Sequence, residues 1–581
     1  MRIVVTGTGV VSALGIGREA NLEALLAERS GIGVPAVLST VYTQFPVGEV
    51  RYTNRELSER LGLDATDELP RTSLLGLLAA REALTQAGLT PNERMAFISG
   101  TTVGGMDLTG RYWNEYKQGR HTETISLHEA GESTQVMANH LSASPFAFIA
   151  TPSTACSSAL NAIILGADMI RTGRLQYALV GGSESLSLFH FNGFRSLMIL
   201  DSETCRPFDA TRAGLNLGEG AGYLVLETEE SARQRGAQIL GYIGGYANTC
   251  DAFHQTASSD DGEGAYRAMT QALEMAGLQP AQIDFVKAHG TATPNNDASE
   301  SAAIRRVFGD TLPLITSTKA FTGHTTSACG GLESVFCLMA MQEGFVPASL
   351  NWKQSDEQTI MPNPHTLHRT IQHVLCNAFG FGGNESSLIL SAEPIDLFDT
   401  CLPDEPMQQV ASVTQTDLDD QAEFMTALEA RRMTPQTRRI VIAAHKALRQ
   451  AQITQPDAII CATQWGCMLQ SMRFLTDMLQ SNEQDVKPTY FMQSTHNTIA
   501  STVAIRIGCH GYNNTYSQGT RSLECALTDV RCQMALGRIQ NALVLEFDEQ
   551  VPVWDEVLNH INSHTEDIAR AYIYCATKKL N

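Results

Sequence analysis

Short apolar runs alternate with amphipathic stretches through the first 395 residues. Ile3-Val4-Val5, Met95 to Ile98, Ala178 to Val180, Tyr223 to Leu226 and Ser387 to Leu390 have the length and continuity of buried strands. Between them, Leu74 to Ala87 and Ala159 to Arg171 repeat apolar positions at helical spacing. Strands that alternate with helices predict a layered α/β architecture. From Glu393 to about Glu423 the alternation breaks into an acidic stretch, EPIDLFDTCLPDEP and then TDLDDQAE, which reads as a connection with a boundary near Pro394. Three units result: residues 1–395, an acidic connection over 396–428, and residues 429–581.

The third unit repeats part of the first. At an offset of 364, REALTQAGLT (81–90) realigns with HKALRQAQIT (445–454), GRLQYALV (173–180) with GRIQNALV (537–544), and TPSTACSSAL (151–160) with TYSQGTRSLE (515–524). A two-residue slip is needed near Met106 and Met468. Three matches in order indicate a structural duplication. Residues from about 430 to 581 read as a copy of residues 66 to about 230, with no counterpart of residues 240–390.

Composition narrows the function. The chain has 581 residues, 43% hydrophobic and 18% charged, which fits packed domains rather than disorder or a coiled coil. A net charge of -21 has the wrong sign for wrapping a nucleic-acid backbone. Thirteen cysteines without paired spacing suit a reduced, cytoplasmic chain. No apolar run is long enough for a membrane span. The opening MRIVVTGTGVVSALGIG carries one basic residue, and its Gly and Thr content suits a strand entering a turn better than a signal peptide. Its segment Thr6-Gly7-Thr8-Gly9-Val10-Val11-Ser12 has Ser12 where a dinucleotide fingerprint needs a third glycine, so it reads as a structural turn.

The chemistry concentrates in three segments. Pro152-Ser153-Thr154-Ala155-Cys156-Ser157-Ser158-Ala159 places a cysteine between strand-like FAFIAT and a helical pattern. A thiol at a helix N-terminus is favoured as thiolate; a buried structural cysteine is the alternative. His289 lies in KAHGTATP at the end of the apolar run Ile283-Asp284-Phe285-Val286. His324 closes STKAFTGH, with Lys319 five residues before it and Glu333 nine after. One such histidine would read as a core residue. Two, in Gly/Thr-rich strand ends beside a helix-start cysteine, read as chemistry.

These segments resemble the β-ketoacyl-[acyl carrier protein] synthases, condensing enzymes of the thiolase fold. Five ordered motifs carry the resemblance over residues 1 to about 395: VVTGTGVVSALG, TACSSA, RPFDATRAGLNLGEGAG, KAHGTATPNND with STKAFTGH, and NAFGFGGNES. It implies a thiolase fold of α-β-α-β-α layers in residues 1–395 and decarboxylative Claisen condensation in fatty acid or polyene biosynthesis. Cys156 is implied as the nucleophile that takes an acyl chain from a carrier protein, with backbone N–H groups of Cys156 and Phe381 as the oxyanion hole. His289 and His324, as neutral donors, would hold the enolate oxygen left when malonyl-carrier protein loses CO2. Lys319 and Glu333 match the pair supporting the second histidine. Thr291 and Thr293 match hydroxyls that bind the pantetheine arm; Phe194, Phe381 and Gly382 match the gate and its loop. For the phenylalanines, ordinary packing against a pocket wall is the alternative. The resemblance implies no cofactor and no metal, since substrates ride on the phosphopantetheine of acyl carrier protein. It also implies a homodimer, or a heterodimer with another synthase-like subunit.

Two other readings compete. A non-catalytic chain-length partner of another synthase normally lacks the nucleophilic cysteine, which this chain keeps. A degradative thiolase places a second cysteine near the C-terminal glycine loop, where Asn377-Ala378-Phe379-Gly380-Phe381-Gly382-Gly383 has none.

In the appended copy the position of Cys156 is held by Thr520, whose hydroxyl has no route to an anion at neutral pH, so this unit is expected to be silent. Lys487-Pro488-Thr489-Tyr490-Phe491-Met492-Gln493-Ser494-Thr495-His496-Asn497 resembles short synthase-like domains of bacterial aryl-polyene pathways. His496 reads as a helix cap or interface residue. Arg431, Arg432, Arg438 and Arg439 read either as a solvated helix start or as a docking patch for an acidic carrier protein.

Overall fold

The computed structural model describes residues 1–64, 68–397 and 407–577. Strands form where the apolar runs predict them. Ile3–Ser12, Met95–Gly100, Tyr177–Glu184, Gly220–Thr228 and Asn384–Ser391 contain the five runs. They are buried almost throughout, as strands covered on both faces must be. Helices Arg71–Ala87 and Ser158–Arg171 contain the two predicted helical stretches.

Among the described residues, eleven strands join in one mixed sheet. Its two halves meet where Ile3–Val5 pairs antiparallel with Gly241–Ile243. Helices Ser158–Arg171 and Cys329–Glu343 pack against each other and against strands of both halves. Arg71–Ala87 covers one half and Glu263–Ala276 the other. Both central helices are buried around nearly their whole circumference, which only a middle layer allows. The result is the expected α-β-α-β-α order.

The glycine-rich opening is not a turn. Gly7 and Gly9 lie inside the strand Ile3–Ser12, where helix Arg71–Ala87 comes closest. A Cβ on Gly7 would sit 2.1 Å from the carbonyl oxygen of Ala83, and one on Gly9 1.8 Å from that of Ala79. The glycines remove side chains so that helix and sheet can touch.

The appended half carries a second sheet of five strands, in the order Met407–Thr414, Ile568–Ala576, Asn541–Asp548, Ala458–Ala462 and Tyr512–Tyr516. The first half has the same order: Ile3–Ser12, Gly220–Thr228, Tyr177–Glu184, Met95–Gly100, Phe148–Ala150. Helices Pro435–Ala451 and Ser522–Ala535 each begin 364 residues after Arg71–Ala87 and Ser158–Arg171. The strand Met407–Thr414 falls inside the stretch read as an acidic connection, which corrects the lower limit of this unit. Its sequence MQQVASVT is mostly exposed because it is an edge paired on one side only, so it lacks the apolar run of a buried strand. Residues 398–406 of that stretch lie outside the described residues.

The two halves join about a pseudo-twofold. Pro152 pairs antiparallel with Tyr516, its own counterpart at the offset of 364. Ser153 N donates to Thr515 O (2.8 Å) and Ser517 N to Thr151 O (3.0 Å). The same patch of each copy faces the other, as in an isologous dimer interface. Around this axis Arg538 pairs with the fully buried Asp168 at 2.9 Å, and Trp554 stacks on Trp113.

The contact at Gly9 makes a direct prediction: Gly9→Ala forces helix Arg71–Ala87 off the sheet. It is expected to cost about 2–3 kcal/mol of stability, read as a lower guanidinium midpoint. An unchanged midpoint would show that the helix is free to shift.

Candidate active site

Strand Phe148–Ala150 leads into a short 3-10 turn, Ala155–Ser157, and then helix Ser158–Arg171. Ala155 sits at φ +52°, a left-handed backbone that a non-glycine residue adopts only when its surroundings enforce it. Those surroundings are polar and buried. Ser158 Oγ accepts from Thr154 N (2.9 Å) and donates to Ala155 O (2.6 Å). Asn384 Oδ1 lies 2.7 Å from Ser157 Oγ and accepts from Asn161 Nδ2 at 3.0 Å. Gly380 presses its backbone on the turn, where a Cβ would stand 2.6 Å from Thr154 O.

This turn presents Cys156, 5% exposed, with its Sγ 3.1 Å from His324 Nε2. Burial pushes the thiol well above its ordinary range, while the Lys319 cation and a hydrogen bond from the Phe381 backbone N–H pull it back. The expected thiolate is therefore corrected: desolvation outweighs the helix N-terminus, and the resting sulfur is a thiol beside an imidazole.

His289 follows strand Phe285–Lys287, and its loop is pinned by Glu300, whose carboxylate accepts from His289 N and Gly290 N at 2.8 Å each. His324 follows the helical turn Lys319–Thr322, and its N donates to Asn216 O (2.7 Å). The rings meet edge to face with centroids 5.1 Å apart. Nδ1 of each is buried without a hydrogen-bond partner among the described residues. Burial, and then the Lys319 cation, holds both imidazoles well below their ordinary range, so both are neutral at physiological pH.

Glu333 carries the local charge balance. Its carboxylate takes Lys319 Nζ at 2.5 Å and also Lys287 Nζ, and all three residues are at most 1% exposed. Although burial works against it, Glu333 holds Lys319 above its ordinary value. Two lysines on one carboxylate leave excess positive charge behind the histidines. Lys287 escaped the sequence reading although it stands two residues before His289; an apparent strand end gave no sign that its ammonium turns inward.

Two cavities meet at Cys156. An entry cavity of about 470 Å³ is lined by Thr291, Thr293, Phe194, Phe381 and Gly382 and reaches His289 and His324. Thr291 and Thr293 join through their hydroxyls at 2.8 Å. Gly382 lines it through backbone alone, at φ +90°, its N–H spent on Gln255 O. A narrow inner cavity, about 50 Å³, continues past Phe194 and Phe381, which stack with centroids 5.7 Å apart. Lys319 and Glu333 line neither cavity, and the Lys319 cation acts on both histidines and on Cys156 through its charge.

The inner cavity holds what sequence reasoning missed. Its far wall comes from the appended half: Gln464, Trp465, Phe491 and His496. His496 is not a cap, for the helix Thr498–Ile507 begins without a side-chain cap; its ring faces this cavity. Gly466 makes room for the ring, which would stand 2.4 Å from a Cβ there. Thr520, at the position that matches Cys156, is exposed. The arginine cluster is divided: Arg439 pairs with Asp567 (2.8 Å) and Arg438 donates to Gln421 (2.9 Å), while Arg431 and Arg432 are exposed.

The ligand atoms of Cys156, His289 and His324 lie within 4.8 Å of one another. That spacing suits a metal as well as an acyl group, but the Lys319 cation that depresses both imidazoles opposes a second cation. Among the described residues, no helix is long and apolar enough to cross a membrane.

Known proteins match the chain over both its synthase-like parts. A model of the β-ketoacyl synthase N-terminal domain matches residues 1–232, one of its C-terminal domain residues 240–353, and a second N-terminal-domain model residues 405–572. Nodulation protein E of Rhizobium meliloti is 36% identical over 401 residues, covering 67% of this chain and 98% of that protein. The 3-oxoacyl-[acyl-carrier-protein] synthase 2 of Rhizobium meliloti (strain 1021) is 34% identical over 420 residues, with the same coverage. A solved structure titled PfaC keto synthase-chain length factor covers all of this chain and 79% of its own, with a TM-score of 0.82 at 17% identity, a likeness of fold. A cysteine and two histidines carried by two matched synthase domains, followed by a partial second copy, place this chain in the β-ketoacyl synthase family.

Proposed function

We propose that the chain is a β-ketoacyl-[acyl carrier protein] synthase that performs decarboxylative Claisen condensation in fatty acid or polyene biosynthesis. The observation that carries this reading is Cys156 Sγ at 3.1 Å from His324 Nε2, with His289 alongside, where two cavities meet. The thioester of an acyl carrier protein enters past Thr291 and Thr293. The sulfur attacks its carbonyl, the thiol proton passes by way of His324 to the departing carrier thiol, and the oxyanion rests on the N–H groups of Cys156 and Phe381. The acyl chain then lies in the inner cavity.

Malonyl-carrier protein follows. Its C–C bond to the carboxylate breaks, CO2 leaves, and the electron pair becomes an enolate whose oxygen takes hydrogen bonds from the two neutral imidazoles. The enolate carbon attacks the acyl-Cys156 carbonyl, a C–C bond forms, and the sulfur leaves. The Lys287–Lys319–Glu333 cluster favours the anionic enolate while keeping both imidazoles in the donor form. The chemistry asks for no bound cofactor. The cytoplasm suits it, since the cysteines among the described residues are free and nearly all buried.

The appended half supplies the far wall of the acyl cavity without a nucleophile of its own. Its role in this reading is to set which chain fits. A dimer of whole chains is not needed to build the cavity, because the appended half occupies the face that a second subunit would use.

Separate half-reactions test the roles. Cys156→Ala is expected to abolish acyl transfer from acyl-carrier protein, seen by mass spectrometry of the intact chain. His324→Ala is expected to slow that transfer about 10²-fold. His289→Ala should leave it within a few fold yet lower malonyl decarboxylation by about 10²-fold or more. Equal loss in both steps from either histidine would contradict the division.

The pH profile provides an independent check. An imidazole depressed well below 6.5 stays neutral as pH falls through 6.5, so condensation should show no inflection there. A break near 6.5 in kcat would mean that one histidine titrates normally. Trp465→Ala should lengthen the longest product released, read by mass spectrometry of carrier-bound chains. An unchanged product distribution would remove the appended half from chain selection.

A further inference from the structure

Three carboxyls cluster beneath the entry cavity, and two of them are fully used. Asp251 accepts from Ser259 N, Ser259 Oγ and Gly264 N. Glu300 accepts from the His289 loop and from Asn377 Nδ2. The third, Glu385, is 3% exposed, and its Oε2 is buried with no hydrogen-bond partner among the described residues. A polar group stranded in this way costs the fold stability unless something arrives to meet it.

Its position says what could arrive. Glu385 stands opposite Phe379 on the neighbouring strand, on the face away from Asn384, and Phe379 packs against the ring of His289. Helix Glu263–Ala276 closes over it so tightly that a Cβ on Gly264 would touch its Cγ at 2.8 Å. Glu385 also lines the entry cavity, together with Cys156 and both histidines. Burial, with Asp251 and Glu300 close by, pushes its carboxyl well up, which favours the protonated form that can donate a hydrogen bond.

We infer that Glu385 is a substrate-binding residue, donating a hydrogen bond from its carboxyl to an oxygen of the incoming carrier-borne thioester, on either the arm or the malonyl carboxylate. The inference rests on the synthase reading above. It adds a contact made by a group that plays no part in the condensation steps.

The test compares Glu385→Ala and Glu385→Gln with the parent chain in two reactions: acyl transfer to Cys156, and condensation with malonyl-carrier protein. Glu385→Ala is expected to raise KM for malonyl-carrier protein about tenfold with kcat within twofold. Glu385→Gln, which keeps a donor of the same shape, should stay within threefold of the parent. Neither should lower the melting temperature. A KM raised in condensation alone assigns the oxygen to the malonyl carboxylate, and a KM raised in both reactions assigns it to the shared arm. Unchanged KM values in Glu385→Ala, or equal losses in both variants with a lowered melting temperature, overturn the inference. A parent chain that does not condense would instead count against the synthase reading; Kd of malonyl-carrier protein for parent and Glu385→Ala then decides the contact, with equal values overturning it.

Discussion

The amide of Asn384 ties the turn that carries Cys156 to the appended half. Its Oδ1 receives Ser157 and Asn161 beneath the strained turn, and its Nδ2 donates to the carbonyl of Asn513 in the appended half at 2.6 Å. Asn248 repeats the link, donating to the same carbonyl at 2.9 Å. Ala155 keeps a backbone that alanine disfavours because these bonds are buried and mutually dependent. The geometry of Cys156 thus leans on a strand more than 350 residues further along the chain.

Electrostatics and desolvation pull in opposite directions in the same cavity. Dry surroundings keep the sulfur protonated and the imidazoles neutral, which suits donors but not a nucleophile. The excess positive charge of Lys287 and Lys319 over Glu333 offsets this where negative charge must develop. Because neither lysine lines the entry or the inner cavity, they do so without occupying that space.

Much of this was legible in the sequence, and the misses have physical reasons. Buried strands and central helices announce themselves by unbroken apolar runs, and the duplication by a constant offset. The edge strand Met407–Thr414 was hidden because an exposed edge needs no apolar run. Gly7 and Gly9 looked like a turn because glycine marks both a bend and a close approach, and only the helix above them distinguishes the two. Cys156, His289 and His324 stood out through their segments. That His496, Trp465 and Phe491 complete the same cavity could not be read from spacing, since the pseudo-twofold that brings them there exists only in three dimensions.

The ladder at Pro152 and Tyr516 joins a patch to its own duplicate within one polypeptide. In a symmetric pair of separate subunits every substitution appears twice, once on each side of the axis. Here the two sides have become independent positions, so one could keep its thiol while the other exchanged it for Thr520 and turned its side chains toward its neighbour's cavity. Covalent linkage also fixes their ratio at one to one and makes their encounter independent of protein concentration. The molecule carries its own unequal twin, permanently paired.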